Sequence, residues 1–387
     1  MTSVRSGNAI AALALALGAT IALSAADIPG AAYRHSDFFQ FWAAPRLILE
    51  GADPYDPADW AGLYARETTA PVATLSVTGR YVYPLWVALL LLPLGALPLG
   101  VAAAGWLVAQ LATVALALRA LVALSGGGRR ETLLLFGFAA GSQPLWLLVG
   151  GGNLTGFLLG LFVASLAAAL ARRPLRAGIA LGLLAVKPHP LGVAVLALLL
   201  VARDRVRLVV AAGIVVTALL VASLALDTAW VGKWLSAAFD LQGTTGSNAT
   251  AWTIGRAIPL PFAAPLLAAA SLVALVAWWR SRPEPFLRIA GAIPVSVFVA
   301  PHGWSYDHLF LFVTLAAILA CLARVAGPRR LIGQVLTAAA AGPLPWLLYG
   351  TAIARHGEEW SAITPLIFFG LLVLADRWAA GDRRQPL

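Results

Sequence analysis

Charge is what this sequence has least of. Only 11% of its 387 residues are Asp, Glu, Lys or Arg, while 60% are apolar and the mean hydropathy is +0.85. A soluble domain carries about 25% charged residues, so a soluble globular protein is excluded and the apolar surplus must face lipid. Cysteine is reduced to Cys321, inside an apolar run, which excludes an internal disulfide and a cysteine metal cage. Lysine is nearly absent too: Lys187 and Lys233 stand alone among 27 basic residues. This Arg-over-Lys and Ala-rich usage is the mark of a GC-rich genome. The formal charge of +10 sits in short clusters between apolar runs, a membrane-topology pattern that gives no reason to expect a nucleic-acid partner.

Apolar segments compatible with crossing helices run at 8–27, 100–124, 132–149, 154–171, 176–186, 190–202, 207–226, 261–279, 286–300, 306–323, 331–349 and 362–379. These twelve predict an all-α integral membrane protein, one polytopic domain over 1–387. The first resembles a signal peptide, with Arg5 ahead of an Ala/Leu core and small residues at 24–26; the eleven spans behind it make an uncleaved helix the simpler reading. If each pair of intervening spans is a hairpin, one side carries 19 basic and 5 acidic residues and the other 8 and 12. Short cytoplasmic loops are enriched in Lys and Arg, so both termini are expected in the cytoplasm. Residues 81–99 are apolar enough to cross, but a crossing there would flip every later Arg cluster. Pro84, Pro93 and Pro98 interrupt the run, and a re-entrant or interfacial hairpin is expected instead.

Two loops on the extracytoplasmic side are long, at 28–80 and 227–260. In the first, Phe38, Phe41, Trp42 and Leu49 recur at helical spacing up to Gly51, which predicts an amphipathic helix lying in the outer interface. Asp37 and Gln40 read as an Asp-x-x-Gln capping box with Asp37 as N-cap, and the local pattern favours that role over catalysis.

Polar residues at membrane depth are few. Asn153 follows Gly150-Gly151-Gly152 where two spans meet. Lys187-Pro188-His189-Pro190 is the apex of a hairpin whose arms are too short to clear the bilayer, so its ammonium should lie below the outer surface. A buried ammonium must find an anion, which makes Lys187 a binding candidate, with a lysine snorkelling from a helix end as the plainer role. Pro301 to His308 forms a third apex, holding His302, Tyr306, Asp307 and His308. His302 and His308 lack the i, i+4 spacing and the carboxylate company of a metal site, and no cofactor is called for. A cavity lined this way suits an amphipathic substrate with an anionic head, or it is the mouth of a transporter or flippase. Against transport, there is no evident inverted repeat and no acidic residue in the middle of a long helix.

In order, SDFFQFWAAPRLILEGADPYDP, YVYPLWVALLLLPLGALP, the stretch from GGGNLTGF to VKPHPLG, and APHGWSYDHLFLF resemble glycosyltransferase family 87, of the polyprenyl-phosphate-sugar-dependent GT-C enzymes. The resemblance runs over about 33–325. It implies a GT-C-like bundle in a bacterial plasma (inner) membrane. The implied reaction moves a hexose, of mannose type, from a polyprenyl-phosphate donor to a hydroxyl of a glycolipid or glycan. Asp37 matches the family's general base early in the first outer loop. Lys187 matches its lysine-proline motif, and His302 and Tyr306 match its outer loop. His189 stands where relatives often have glutamine, and Trp304 with His308 matches only in part. Asn153 matches the Gly-Asn apex, as a substrate hydrogen bond or a structural turn.

Overall fold

A computed structural model describes residues 36–67, 80–244, 248–258, 260, 262–355 and 357–382. Most of these residues are helical, with no strand among them. In chain order the helices are α1 (Asp37–Leu49), α2 (Pro57–Glu67), α3 (Leu85–Leu90), α4 (Leu92–Gly95), α5 (Leu99–Ser125), α6 (Arg129–Gly141), α7 (Gln143–Gly151), α8 (Thr155–Leu170), α9 (Pro174–Leu183) and α10 (Gly192–Val201). There follow α11 (Arg205–Leu226), α12 (Trp230–Thr244), α13 (Ala251–Ala257), α14 (Ala263–Arg280), α15 (Pro285–Val299), α16 (Leu311–Ala323), α17 (Gly327–Ala341), α18 (Pro343–Arg355) and α19 (Ile363–Asp382).

Eleven of the twelve apolar segments fall on these helices; the first, 8–27, lies outside the described residues. Six helical stretches are long and apolar enough to cross a membrane: Leu99–Ser125, Arg205–Leu226, Ala263–Arg280, Ser305–Ala323, Gly327–Ala352 and Glu359–Asp382. The pair α6 and α7, bent by 55°, gives a seventh if it counts as one span. The other four expected spans are apolar helices of only 10–17 residues. At 1.5 Å per residue even the longest of these covers about 25 Å, short of a hydrocarbon core of about 30 Å. Residues 81–99 form two short pieces, α3 and α4, broken at Leu91 ahead of Pro93.

The chain divides into two compact units. The first comprises Met1–Ala115, Leu147–Phe157 and Gly213–Thr245. Its α1 starts after Ser36, whose extended backbone (φ −122°, ψ 176°) makes it the N-cap. Asp37 is therefore the first helical residue, and the expected capping box is absent. Gly51 (φ +76°) ends the helix, with Ala52 N–H returning to Leu47 O at 2.9 Å. The seven consecutive residues from Phe38 to Ala44 are all buried, and residues pointing in every direction cannot form a single apolar face. The expected interfacial helix is instead enclosed by protein: Phe39 packs on Trp60 and Tyr64 of α2, and Phe41 stacks on Trp106 of α5 at 5.4 Å. Gly95 of α4 lies so close that a Cβ there would meet Arg46 N at 2.6 Å and Pro45 Cβ at 2.7 Å.

The second unit comprises Leu116–Trp146, Leu158–Ala212 and Gly246–Leu387. Its centre is the Ser305–Ala323 stretch, 89% buried over its most apolar window, against 17% for Arg205–Leu226. The short α15 packs beside it, and Thr314 Oγ1 donates to Ala290 O at 2.7 Å. The core of this unit thus combines a stretch of crossing length with α15, a largely buried apolar helix too short to cross.

Candidate active site

Asp37 and Asn153 belong to the first unit, and the fold brings them together across 116 positions of sequence. Gly152, at φ +64°, ends α7 and gives its carbonyl to Trp106 Nε1 at 2.7 Å. The next residue, Asn153, is buried and closes an Asx turn ahead of α8: its Oδ1 accepts from Thr155 N at 3.0 Å and from Thr155 Oγ1 at 2.6 Å. The backbone donor fixes which end of the amide is oxygen. Nδ2 is then turned to Asp37 and donates to Oδ2 at 2.7 Å. Gln110 of α5 supports the turn through its Nε2 to Asn153 O and its Oε1 from Phe157 N. Asn153 is thus a turn residue and a hydrogen-bond donor at once, with the carboxylate as its partner. Asp37, half-buried in the first turn of α1 where the helix dipole favours an anion, has an orientation set by a neutral donor.

Lys187 belongs to the second unit. Because it precedes Pro188, its backbone is driven out of the helical region, and at φ −151°, ψ 77° it breaks the chain between two 3-10 turns. Ser296 of α15 pins the far side of this apex. Its Oγ donates to Pro190 O at 3.0 Å and accepts from Val193 N and Ala194 N at 3.1 and 3.2 Å, two donors that the start of α10 leaves unpaired. The Lys187 ammonium, 4% exposed, meets both oxygens of Asp307, 0% exposed, at 2.8 and 3.0 Å. The anion expected for this buried ammonium is therefore supplied by the chain's own Asp307. Asp307 stood in the third apex as one more acid, yet an ammonium and a carboxylate at membrane depth are far cheaper together than apart. That is the signal through which the pair was findable.

The third apex is built around this ion pair. Trp304 N donates to Asp307 Oδ2 at 3.2 Å, and the Tyr306 ring faces the ammonium at 4.8 Å. His189 and His302 lie edge to face with centroids 5.9 Å apart. His302 Nε2 accepts from Trp304 Nε1 at 3.1 Å, so in neutral His302 the proton is on Nδ1. Burial, with Lys187 adding to it, holds His302 below the ordinary imidazole range, and the Asp307 charge opposes this only in part. His189 Nε2 is buried without a hydrogen-bond partner. His308 is enclosed in the packing of the unit rather than set on an open face.

Two residues that sequence reading missed hold the apex from behind. Gln143, at the bend between α6 and α7, donates through Nε2 to Ser305 Oγ at 2.9 Å. Glu358 accepts Ser305 N–H at 2.7 Å, and burial raises its carboxyl above the ordinary range. An apolar pocket of about 150 Å³ opens beside Lys187, lined by Leu181, Leu184, Ala185, Pro188, Leu191 and Val195.

No curated protein matches this chain. The model of glycosyltransferase family 87 matches residues 81–301. That stretch contains Asn153, Lys187 and His189, while Asp37, His302, Tyr306 and His308 lie outside it. It is more than half of the chain, and the protein belongs to glycosyltransferase family 87, a family consistent with the GT-C superfamily.

Proposed function

We propose that this glycosyltransferase moves a hexose, of mannose type, from a polyprenyl-phosphate-linked donor to a hydroxyl of a glycolipid or glycan. The reaction takes place on the extracytoplasmic side of a bacterial plasma membrane. In this reading about twelve apolar helices, the short ones included, make a GT-C-like membrane bundle with both termini in the cytoplasm, the side to which the Arg clusters assign 19 basic and 5 acidic residues. Asp37 is the general base. Its carboxylate takes the acceptor proton as the acceptor oxygen attacks C1. The C1–O bond to phosphate breaks with inversion, and polyprenyl phosphate leaves.

The observation that carries the reading is the hydrogen bond from Asn153 Nδ2 to Asp37 Oδ2 at 2.7 Å. A buried amide whose other end is already committed to the turn ahead of α8 aims a half-buried carboxylate. Aiming of this kind is what general-base catalysis requires.

In the same reading the donor's phosphate is bound at the second unit's apex. Lys187 is already neutralised by Asp307, so it offers the phosphate the positive end of a fixed pair rather than a free charge. Neutral His302 adds its Nδ1–H, and His189 adds a ring nitrogen that has no other partner. Tyr306 borders the ammonium, and the apolar pocket next to Lys187 suits a stretch of isoprenoid chain. His308, enclosed beside Asp307, belongs to the same substrate site.

The direct test supplies the protein in liposomes with a radiolabelled polyprenyl-phosphate hexose and membrane acceptor lipids. Label covalently attached to acceptor, with release of polyprenyl phosphate, is the expected result. Label that crosses the bilayer still on its carrier would show a transporter or flippase instead.

A further inference from the structure

The first unit contains a helix whose surface falls into three sectors, and it is not the one the sequence pointed to. Along α12, at 100° per residue, Trp230, Lys233, Trp234 and Ala237 share one side. Trp230 and Ala237 are buried; Trp234 Nε1 donates to Val82 O at 3.1 Å; Lys233 Nζ reaches Asp53 and Asp227 at 2.6 and 2.7 Å. That side is docked on protein. A second side carries Val231, Leu235 and Phe239, exposed by 37%, 41% and 66%. The third carries Gly232, Ser236 and Asp240, also exposed, with Asp240 paired to Arg80.

A helix with one side on protein needs only one further medium if it lies in water or in hydrocarbon. Here the two remaining sides differ in polarity and run in parallel along the axis, so they meet two media. Continuity says which. α12 follows α11, a stretch of crossing length whose exposed residues include Val221, Leu224 and Leu226 at its C-terminal end. Between the two helices Asp227 Oδ1 accepts Ala229 N at 2.8 Å and turns the chain. The apolar stripe thus prolongs a lipid-facing surface around a corner. Trp86, Trp230 and Trp234 gather at the docked side, with Trp86 and Trp230 at 5.2 Å and Trp230 and Trp234 at 5.9 Å, the residue type that collects at the headgroup level.

We propose that α12 lies in the membrane–water interface at the end of α11, its Val231–Leu235–Phe239 stripe set into the acyl-chain boundary and its Gly232–Ser236–Asp240 side in water. The occupant of the stripe is phospholipid, and on the orientation proposed above it belongs to the outer leaflet. The helix does more than rest there. Lys233 holds Asp53, two residues beyond the Gly51 that ends α1, so the chain leaving the Asp37 helix is tied to a helix whose level the bilayer sets.

The test reads depth and needs no activity, so its outcome is independent of the catalytic reading. In a Cys321→Ala background, single cysteines replace Val231, Leu235, Phe239 and Ser236 in turn and carry a nitroxide. The full-length protein is reconstituted in phosphatidylethanolamine–phosphatidylglycerol vesicles. At the three stripe positions, collision with oxygen should exceed collision with a water-soluble nickel chelate severalfold relative to Ser236, where the chelate should dominate. Chelate access at the stripe equal to that at Ser236 would overturn the proposal by placing it in water. Exclusion of both reagents from the stripe would overturn it by placing a protein surface, of another chain or a second copy, where lipid was expected. The three stripe labels are read separately, so one variant that fails to fold leaves the outcome decided by the others.

Discussion

Asp37 in the first unit and Lys187 in the second are both charged side chains on an otherwise apolar protein, and the fold treats them in opposite ways. Asp37 is half-buried, and a neutral amide donates to its carboxylate and aims it. Lys187 is enclosed and meets a carboxylate that is itself fully enclosed. In the proposed reaction Asp37 has to reach a proton, which a half-buried carboxylate aimed by an amide is able to do. A buried ammonium without its carboxylate would forfeit hydration with nothing in return. The contrast predicts that substitutions at the two places fail differently: activity fails at Asp37, and the fold is first to suffer at Lys187.

The largest effect on stability should come from halving the ion pair. Lys187→Ala or Asp307→Ala leaves one buried charge unpaired, at a cost of about 3–5 kcal/mol, seen as a lower thermal midpoint in detergent. Lys187→Met with Asp307→Leu removes both charges and should recover most of that loss while donor binding stays impaired. Equal losses in single and double variants would break the contrast.

Asn153→Asp is the next largest and acts on the other side of the comparison. It keeps an acceptor for Thr155 but sets a second carboxylate against Asp37. Loss of a hydrogen bond to a charged group is worth about 1.5–3 kcal/mol, so turnover should fall about ten- to a hundredfold. Like charges raise carboxyl pKa values, so the acidic limb of the pH–rate profile should move to higher pH. A role confined to the turn would leave that limb in place.

The smallest effect is a pH dependence at Glu358. Burial raises its carboxyl, helped by the charge of Asp307 and opposed by the Ser305 bonds. The native state therefore holds this proton at pH values where the unfolded chain has released it. Its contribution to stability is present below the ordinary carboxylate range and is lost as pH rises through the raised native value. Glu358→Gln should flatten that decline in thermal midpoint between acidic and neutral pH. An unchanged slope would detach Glu358 from it.

Much of the helical pattern was legible in the sequence, because apolar runs and the prolines that interrupt them act locally. Pro93 breaks residues 81–99, and Pro188 forces Lys187 out of helical geometry. Pairings across more than a hundred positions were not legible. Asn153 shows nothing locally of its bond to Asp37, and Asp307 announced itself only as an acid where acids are rare. Phe38, Phe41 and Trp42 are spaced as one face, which points to α1 as an interfacial helix. Phe39, Ala43 and Ala44 fill the remaining directions, and that pattern belongs to a buried helix. In α12 the apolar stripe was masked by Trp230 and Trp234 on the docked side. Crossing length was the other blind spot, since a short apolar helix in a protein core has the composition of a span.

The central claim is that Asp37 is the base, and Asp37→Asn tests it most directly. Asparagine can still accept the bond from Asn153 but cannot take the acceptor proton. With the protein in liposomes and a labelled polyprenyl-phosphate hexose, turnover should fall about 10²–10⁴-fold, with donor affinity and thermal midpoint unchanged. A variant that transfers the sugar within a few-fold of the parent rate would contradict the account.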